Sequence, residues 1–434
     1  MKTVSAAEAA ALVRPTDSLA VPLGPGQPPT FLHALGDRDD WQSLDVFCAL
    51  LVDLFPLFAR KGVRLLSGFF GPVERALRDA GHDVHFVPSD FRRFAKLARS
   101  MAPRVMSTAV APPDADGNYS LSLHAGATVD ELLRCGRDPE RLLVAEVNRN
   151  LPRTLGLPPA FPHALHERDI DFVVEGDRPL RELPEPKADA VERRIAEHAR
   201  TFITDGCTLQ TGIGGVPDFI ARMLAEGAGG DYGIHSEMFT DGLMALQRAG
   251  KVSNRKGLHD GLSIATFAMG THALYEWLDG NEDVRFLPVD QVNDPALIAR
   301  NRRMISINGA LSVDLVGQVV ADRIGAREHS GIGGHEDFVT GAAFSDGGRS
   351  LICLPSTANT AAGAVSRIVT EFPPGTCITT PRHQVDVVVT EYGAAELAGR
   401  TASERAAALA TIAHPAVRDA LRAQVLELPP IPAA

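Results

Sequence analysis

The sequence lacks the cysteine patterns of a disulfide framework or a metal centre. Its 434 residues include five cysteines, an odd number, scattered without any Cys-x-x-Cys spacing. No His-x-x-x-His pair and no aspartate-rich ligand spacing occurs either. These absences argue against structural disulfides and against a bound metal ion. They fit a reducing compartment, so we expect a cytoplasmic protein.

The sequence also lacks excess positive charge and long hydrophobic runs. Its 43 lysines and arginines stand against 54 aspartates and glutamates, giving a formal net charge of -11. Nucleic acid and anionic membranes both need a basic face, so neither is expected as a partner. No run of eighteen apolar residues occurs, and residues 1–8 contain no apolar segment. We therefore expect neither a membrane span nor secretion.

What is present is typical of a globular protein with two or three domains. Hydrophobic residues make up 45% of the chain and charged residues 22%, and the length exceeds one ordinary core. Strand-like runs at residues 43–51, 63–66 and 83–87 alternate with helical stretches at 73–80 and 91–98, and a further strand is predicted at 262–269. This alternation predicts βαβ units, and hence an α/β fold with mainly parallel sheets.

A polar, proline-bearing segment at residues 178–187 marks the predicted domain boundary. The first predicted domain covers residues 1–180 and the second covers residues 188–434. A shift of 188 positions aligns their opening segments without a gap. The matched pairs are Asp17 with Asp205, Gly24 with Gly212, Gly26 with Gly214, Pro29 with Pro217 and Phe31 with Phe219. An internal duplication is therefore predicted, giving two similar open α/β domains.

The second of these segments contains a glycine turn. Leu209 belongs to a strand-like run, and Gly212, Gly214 and Gly215 then remove three side chains from the turn. Pro217 follows where its fixed φ suits the first turn of a helix. Bare backbone N–H groups are thus predicted to point outward, in the arrangement that binds anions.

Glu237 follows that turn after a strand-like Tyr232-Gly-Ile run, at the edge where open α/β sheets bind ligands. The reference pKa of a glutamate is about 4.3, so we expect Glu237 to be ionised at neutral pH and to need no general base. A carboxylate beside free amides predicts covalent acyl chemistry, in which the carboxylate attacks and the amides hold the oxyanion. A second glycine cluster at residues 331–334 and Asn293 complete a candidate site.

Two other enzyme classes fit the same residues less well. His235 and Ser236 suggest a Ser-His hydrolase, but neighbours on a strand face opposite sides and no Gly-x-Ser-x-Gly elbow is present. We expect His235 to be packed or hydrogen-bonded. The Gly-x-Gly in the turn suggests a dinucleotide fingerprint, but Pro217 occupies its third glycine position and Asp231 is a poor candidate for the ribose-binding acid.

Several longer motifs occur in order along the chain. They are TLQTGIGG at 208–215, GIHSEMFTDG at 233–242, PVDQVNDP at 288–295, SGIGG at 330–334, LPSTA at 354–358, VTEYG at 389–393 and AHP at 413–415, with looser blocks at 113–119 and 146–148. With these motifs the chain resembles the acetyl-CoA hydrolase/transferase group of family I CoA-transferases. That group includes 4-hydroxybutyrate, butyrate and succinate:acetate CoA-transferases.

The resemblance implies a role for each matching residue. Glu237 would be the nucleophile of a ping-pong cycle, forming an acyl-glutamyl anhydride and then a glutamyl-CoA thioester. Asn293 would orient the acyl group, and an amide near Ile213 would hold the oxyanion. The residues assigned to CoA binding are Gln210, Thr211, Gly212, Ile213, Gly214, Gly215, Ser330, Gly331, Gly333, Gly334 and Asn359.

The resemblance also implies the activity and the partners. The expected reaction moves CoA between short-chain carboxylates, with acetate or 4-hydroxybutyrate as donor or acceptor, at the junction of the two domains. CoA is then a substrate, no cofactor is permanently bound, and a homodimer or higher homo-oligomer is expected by analogy. Two alternatives stay open: an acyl-CoA hydrolase using the same glutamate, and a non-catalytic acyl-CoA-binding protein.

The chain departs from the family pattern at two positions. Relatives commonly carry a lysine just after the Pro-Ser-Thr-Ala block, where this chain has Asn359. Arg349 and Arg367 are the candidates to supply the missing charge. His335 also stands where relatives tend to carry other residues, which leaves the acyl pocket undefined.

Overall fold

Two largely parallel sheets, one in each half of the chain, organise the protein. The computed structural model describes residues 1–124, 128–185, 189–361 and 363–427. Apolar side chains on both faces of each sheet are buried. Leu19 and Val46 belong to one core cluster of the first half, while their chain neighbours Ala20 and Phe47 belong to the other. This burial on both faces is typical of doubly wound α/β folds.

The first-half sheet has eight parallel strands. Their spatial order is Lys2–Thr3, Phe172–Gly176, Leu142–Asn148, Val105–Val110, Ser18–Ala20, Leu44–Cys48, Val63–Ser67 and Val84–Phe86. From Ser18–Ala20 the chain builds the sheet outward in one direction, and it then returns to Val105–Val110 to build in the other. The switch point therefore lies between these two strands.

The second-half sheet has six strands. Their spatial order is Gly233–Ile234, Thr208–Gln210, Met304–Gly309, Arg349–Cys353, Val387–Thr390 and Gly393–Glu396. All neighbouring pairs are parallel except the last. Its switch point lies between Thr208–Gln210 and Met304–Gly309, where open α/β sheets hold their ligands.

Helices and small ladders complete both halves. The helices are Ala6–Ala11, Pro29–Gly36, Pro72–Asp79, Phe94–Ser100, Val129–Gly136, Ala190–Arg200, Gly215–Glu226, Asp241–Arg248, His272–Leu278, Val289–Val292, Pro295–Ile298, His335–Phe344, Ala402–Ile412 and Pro415–Glu427, with 3-10 turns at Gly24–Gly26, Pro56–Ala59, Phe91–Arg93 and Glu167–Asp169. The small ladders are Asn118–Ser120 with Ala164–His166, Met238–Phe239 with Phe267–Ala268, Ser263–Ala265 with Val284–Phe286, Ser312–Asp314 with Val319–Val320 and Ile368–Val369, Arg323–Ile324 with Arg327–Glu328, and Thr357–Thr360 with Gly363–Ser366. Among the described residues, no helix combines the length and hydrophobicity that crossing a bilayer would require.

The predicted α/β fold with mainly parallel sheets is confirmed. Each half contains a helix, a strand, a glycine turn and a second helix in that order, which in the first half follow the short strand Lys2–Thr3. One predicted strand was wrong. Residues 262–269 form two short strands in separate ladders, because the amides of Thr266 and Phe267 donate to the carbonyl of Glu237 instead of continuing one ladder. The domain limits stay a prediction, and residue 188, where the second predicted domain begins, lies outside the described residues.

Candidate active site

The carboxyl ends of the two sheets face each other across a cavity of about 460 Å³. The first half contributes residues that directly follow its strands, among them Leu23, Leu50 and Phe69. The second half contributes residues 210–213 and 308–311, at the ends of the two strands that flank its switch point. The cavity therefore lies where the strand order of the second-half sheet reverses, at the junction of the halves.

Glu237 lies in the wall of this cavity, partly exposed, in a bend between Gly233–Ile234 and Met238–Phe239. Its backbone carbonyl accepts hydrogen bonds from the amides of Thr266 and Phe267, at 3.0 and 3.2 Å. Its side-chain Oε2 accepts a hydrogen bond from Nδ2 of Asn293 at 2.7 Å. Backbone and side chain are thus both fixed, and the carboxyl group faces the cavity.

The second glycine cluster is required by the close approach of this carboxyl group. A Cβ atom on Gly334 would overlap Oε2 of Glu237 and crowd Nδ2 of Asn293. The neighbouring Gly333 has φ of +54°, in the left-handed region that favours glycine. The backbone amide of Gly334 also donates to the Glu237 carboxyl group. Glycine at position 334 therefore lets the main chain and the Glu237 carboxyl group meet directly.

A chain of hydrogen bonds connects Glu237 to the first half. Nδ2 of Asn293 donates to Oδ2 of the fully buried Asp337 at 3.1 Å as well as to Glu237. Arg92, in the first half, donates from Nη1 to Oδ1 of Asp337 at 2.7 Å and from its amide to Oδ2 at 3.2 Å. Both hydrogens of the Asn293 amide thus have acceptors, and the orientation of this side chain depends on the docking of the two halves.

The surroundings of Glu237 favour its protonated form. Its pKa is raised to about 8, chiefly by burial and also by the nearby Asp337 carboxylate, while the hydrogen bonds from Asn293 and Gly334 act in the opposite direction. Burial likewise raises the pKa of Asp337 to about 6. The expectation that Glu237 is ionised at neutral pH was therefore wrong for the site without substrate, because desolvation outweighs the two donors.

Comparisons with known proteins decide the family. Residues 270–425 match the acetyl-CoA hydrolase/transferase C-terminal domain. The 4-hydroxybutyrate coenzyme A transferase of Clostridium kluyveri is 44% identical over 313 residues, which cover 72% of this chain and 70% of that protein. The succinyl-CoA:cyclohexane-1-carboxylate CoA transferase of Geobacter metallireducens is 36% identical over 425 residues, or 97% of this chain and 94% of that protein. The chain belongs to the acetyl-CoA hydrolase/transferase family of CoA-transferases.

Solved structures agree with this family assignment. RipA from Yersinia pestis matches with a TM-score of 0.88 at 33% identity, covering 98% of this chain and 97% of that one. A 4-hydroxybutyrate CoA-transferase from Porphyromonas gingivalis matches with a TM-score of 0.78 at 31% identity, with the same coverage. The resemblance drawn from the sequence motifs is thereby confirmed.

Only part of the glycine turn at residues 210–215 lines the cavity. Gln210, Thr211, Gly212 and Ile213 line it, and the Ile213 side chain is 56% exposed. Gly214 and Gly215 lie beyond the lining, at the start of the helix Gly215–Glu226. Gly214 has φ of +130°, and a Cβ on Gly215 would overlap the carboxylate of Glu192. These two glycines therefore shape the turn and the packing of the helix behind it.

The second glycine cluster, residues 330–334, lines the cavity along its whole length. Ser330, Gly331, Gly333 and Gly334 all line it. A Cβ on Gly331 would come within 2.7 Å of the Gly68 carbonyl oxygen, so this glycine lets the two halves approach. His335, at the start of the following helix, is buried and shares a 2.9 Å hydrogen bond with Oγ1 of Thr380. Burial lowers the pKa of His335 to about 4, which keeps it neutral.

Asn359, which stands where relatives carry a lysine, lies away from the cavity. Asn359 is exposed on the hairpin Thr357–Thr360 with Gly363–Ser366 and does not line the cavity. Arg349 was a wrong candidate for the missing charge, because it begins its strand at the opposite edge and binds Asp386 and Glu396. Arg367 is half-buried and donates from Nη1 to the carbonyl of Ala310, a lining residue, at 3.2 Å.

The sequence analysis missed Asp337 and Arg92, which orient the Asn293 side chain that binds Glu237. Asp337 had a local signal, since it is the third residue after a glycine cluster and lies in the first turn of His335–Phe344. Arg92 had none, because its partner is 245 residues away. The expectation for His235 was correct, as Nε2 lies 2.7 Å from the carbonyl oxygen of the Val292 backbone. Within the described ranges, no three His, Cys, Asp or Glu side chains are grouped so as to hold a metal ion.

Proposed function

We propose that the protein transfers CoA between short-chain carboxylates through a covalent thioester on Glu237. The observation that carries the proposal is the placement of Glu237 in the junction cavity, which both glycine turns of the second half also line. CoA is a substrate in this family, and no permanently bound cofactor is indicated. The proposal includes acetate or 4-hydroxybutyrate as the carboxylate that donates or accepts CoA.

The reaction is a sequence of acyl transfers in which each bond broken matches one formed. After Glu237 loses its proton, its carboxylate attacks the thioester carbonyl of acyl-CoA, the C–S bond breaks, and CoA leaves as a thiolate. The thiolate then attacks the Glu237 carbonyl of the anhydride, which releases the first carboxylate and leaves glutamyl-CoA. A second carboxylate reverses these steps, forming the new acyl-CoA and restoring Glu237.

The chain's own groups contribute binding, orientation and charge stabilisation. We assign the amide near Ile213 to the developing oxyanion, where one such donor typically contributes about 3 kcal/mol. Asn293 holds Oε2 of Glu237 at 2.7 Å and so leaves Oε1 for attack. We assign CoA contacts to the two glycine turns and to Arg367 near Ala310, and keep Asn359 as a peripheral contact.

We also propose the wider setting of the enzyme. The domains would span residues 1–180 and 188–434, with the chain assembled as a homodimer or higher homo-oligomer in the cytoplasm. Size-exclusion chromatography with light scattering tests the assembly directly. A mass equal to one chain of 46.3 kDa would reject the oligomer.

The test of function separates the transferase from its two alternatives. Acyl-CoA is supplied with and without acetate, and acetyl-CoA and free CoA are both measured. A transferase forms acetyl-CoA at a rate that rises with acetate, whereas a hydrolase releases CoA at a rate that ignores acetate. Glu237→Ala should abolish turnover and retain CoA binding, with the exposed Glu140→Ala as control. Unchanged behaviour of Glu237→Ala would leave only a binding protein.

A further inference from the structure

An apolar wall lies beside the free oxygen of the nucleophile. We define the apolar wall as Leu23, Phe69, Phe91, Phe94, Met238 and Phe267, all of which line the cavity. The ring centroids of Phe91 and Phe94 lie 5.8 Å apart, and those of Phe91 and Phe267 lie 6.2 Å apart. Three of its aromatic rings are thus in contact, and four of its six residues belong to the first half.

One residue of the wall, Phe69, lies at most 7.2 Å from the attacking atom. Oε1 of Glu237 and Cε2 of Phe69 both lie 3.6 Å from the point where a Cβ on Gly333 would stand. Met238 follows Glu237 in the chain, and the amide of Phe267 donates to the Glu237 carbonyl. With CoA along the glycine turns, as proposed above, an acyl chain bonded at Oε1 extends along this wall.

The apolar wall itself offers no cation to a second carboxylate. None of the residues lining the cavity is a lysine or arginine, and burial lowers the pKa of both lining histidines, His329 and His335. The nearby Arg92 is bound to Asp90 and Asp337, and Arg75 donates to the carbonyls of Phe70 and His329. A charged group moved from water against such a surface loses hydration without gaining a partner.

We propose that the acyl subsite selects monocarboxylates with an apolar carbon chain and excludes dicarboxylates, and that the apolar wall is the determinant. The inference rests on the proposed CoA transfer. In a ping-pong cycle with one glutamate, donor and acceptor carboxylates occupy the same subsite in turn. The selection therefore applies equally to the acyl-CoA and to the accepting acid.

Three four-carbon acyl groups that differ only at the far end test this selection. Butyryl-CoA, 4-hydroxybutyryl-CoA and succinyl-CoA end in a methyl, a hydroxymethyl and a carboxylate. Acetyl-CoA formation from each is followed with the purified full chain and saturating acetate, and kcat/KM is compared. Since an apolar pocket rejects an added hydroxyl by at most about 100-fold, we expect 4-hydroxybutyryl-CoA between the other two, and succinyl-CoA at least about 100-fold below butyryl-CoA.

The outcomes separate this inference from the proposed function. A kcat/KM for succinyl-CoA within tenfold of that for butyryl-CoA overturns the selection while leaving CoA transfer intact. Absence of acetyl-CoA with all three donors overturns the transferase itself, and the selection with it.

Introducing a positive charge into the apolar wall tests whether the wall causes the exclusion of dicarboxylates. Phe69→Arg places a cation beside Oε1 and should raise the succinyl to butyryl ratio of kcat/KM by about tenfold or more. Phe344→Arg is the matched control, because Phe344 is 73% exposed and lies outside the cavity lining. If Phe69→Arg melts like the wild type and the ratio is unchanged, the assignment of the wall is overturned. If Phe69→Arg does not fold, the comparison of the three acyl-CoA donors with the wild-type protein decides the selection.

Discussion

Replacing Glu237 with glutamine should abolish CoA transfer and at the same time stabilise the folded protein. The pKa of Glu237 is raised to about 8, by burial first and by the Asp337 charge second. The folded protein therefore keeps a proton on this group over the pH range from about 4.5 to about 8, while the unfolded chain releases it. Stability is present in full below the lower of these values and falls as pH rises toward the upper one.

The size of the effect follows from that difference in pKa. Each pH unit in the window lowers the free energy of unfolding by about 1.4 kcal/mol, so the wild type loses on the order of 3 kcal/mol by pH 7. Glutamine has nearly the same shape, is neutral throughout, and its Oε1 can still accept from Asn293. For folding units of this size each kcal/mol shifts the melting temperature by about 2–4 °C, so the gain corresponds to about 6–12 °C at neutral pH.

Melting temperatures of the wild type and Glu237→Gln at about pH 5, 6, 7 and 8 provide the assay. The difference between the two proteins should be small at the acidic end and widen with each step. Glu140→Gln, at an exposed glutamate, is the control and should show no widening difference. A Glu237→Gln protein that is less stable than the wild type, or whose advantage ignores pH, would refute the reasoning about the buried carboxyl group.

Three further substitutions test other contacts. Gly334→Ala should lower kcat by about 100-fold at nearly constant fold stability, because its methyl group displaces Glu237, and steady-state kinetics with a thermal melt measure both; wild-type kcat would contradict the close approach. Asp337→Asn removes a negative charge and should move the rising limb of the kcat/KM profile to lower pH, since Asp337 raises the pKa of Glu237; a shift to higher pH would reverse the assigned sign. Arg367→Ala should raise KM for acyl-CoA about tenfold and leave kcat near wild type, as initial rates over a range of acyl-CoA will show; an unchanged KM removes Arg367 from the CoA site.

The parts of the fold that local sequence patterns control could be predicted. Strand and helix alternation predicted the parallel sheets, and the glycines at 212 and 334 predicted turns at the ligand-binding edge. These features depend on backbone conformations that only a few neighbouring residues determine. The internal duplication inferred from the 188-residue offset stays a prediction.

The protonation and support of Glu237 could not be predicted in this way. Its pKa depends on burial that forms only when the two halves dock, and its partner Asn293 is oriented by Asp337, which Arg92 holds from the other half. The strand expected at 262–269 failed for a similar reason, since two of its amides bind the Glu237 carbonyl. The CoA contact assigned to Asn359 stays a prediction, because this residue lies on an exposed hairpin outside the cavity lining.

The covalent role of Glu237 can be measured directly. The protein is incubated with acyl-CoA without an acceptor, treated with borohydride to reduce any glutamyl thioester, digested, and analysed by mass spectrometry. The account predicts a glutamate side chain reduced to an alcohol in the peptide that carries Glu237, formed only when acyl-CoA is present. An unmodified Glu237 in a preparation that turns over, or reduction at a different residue, would contradict it.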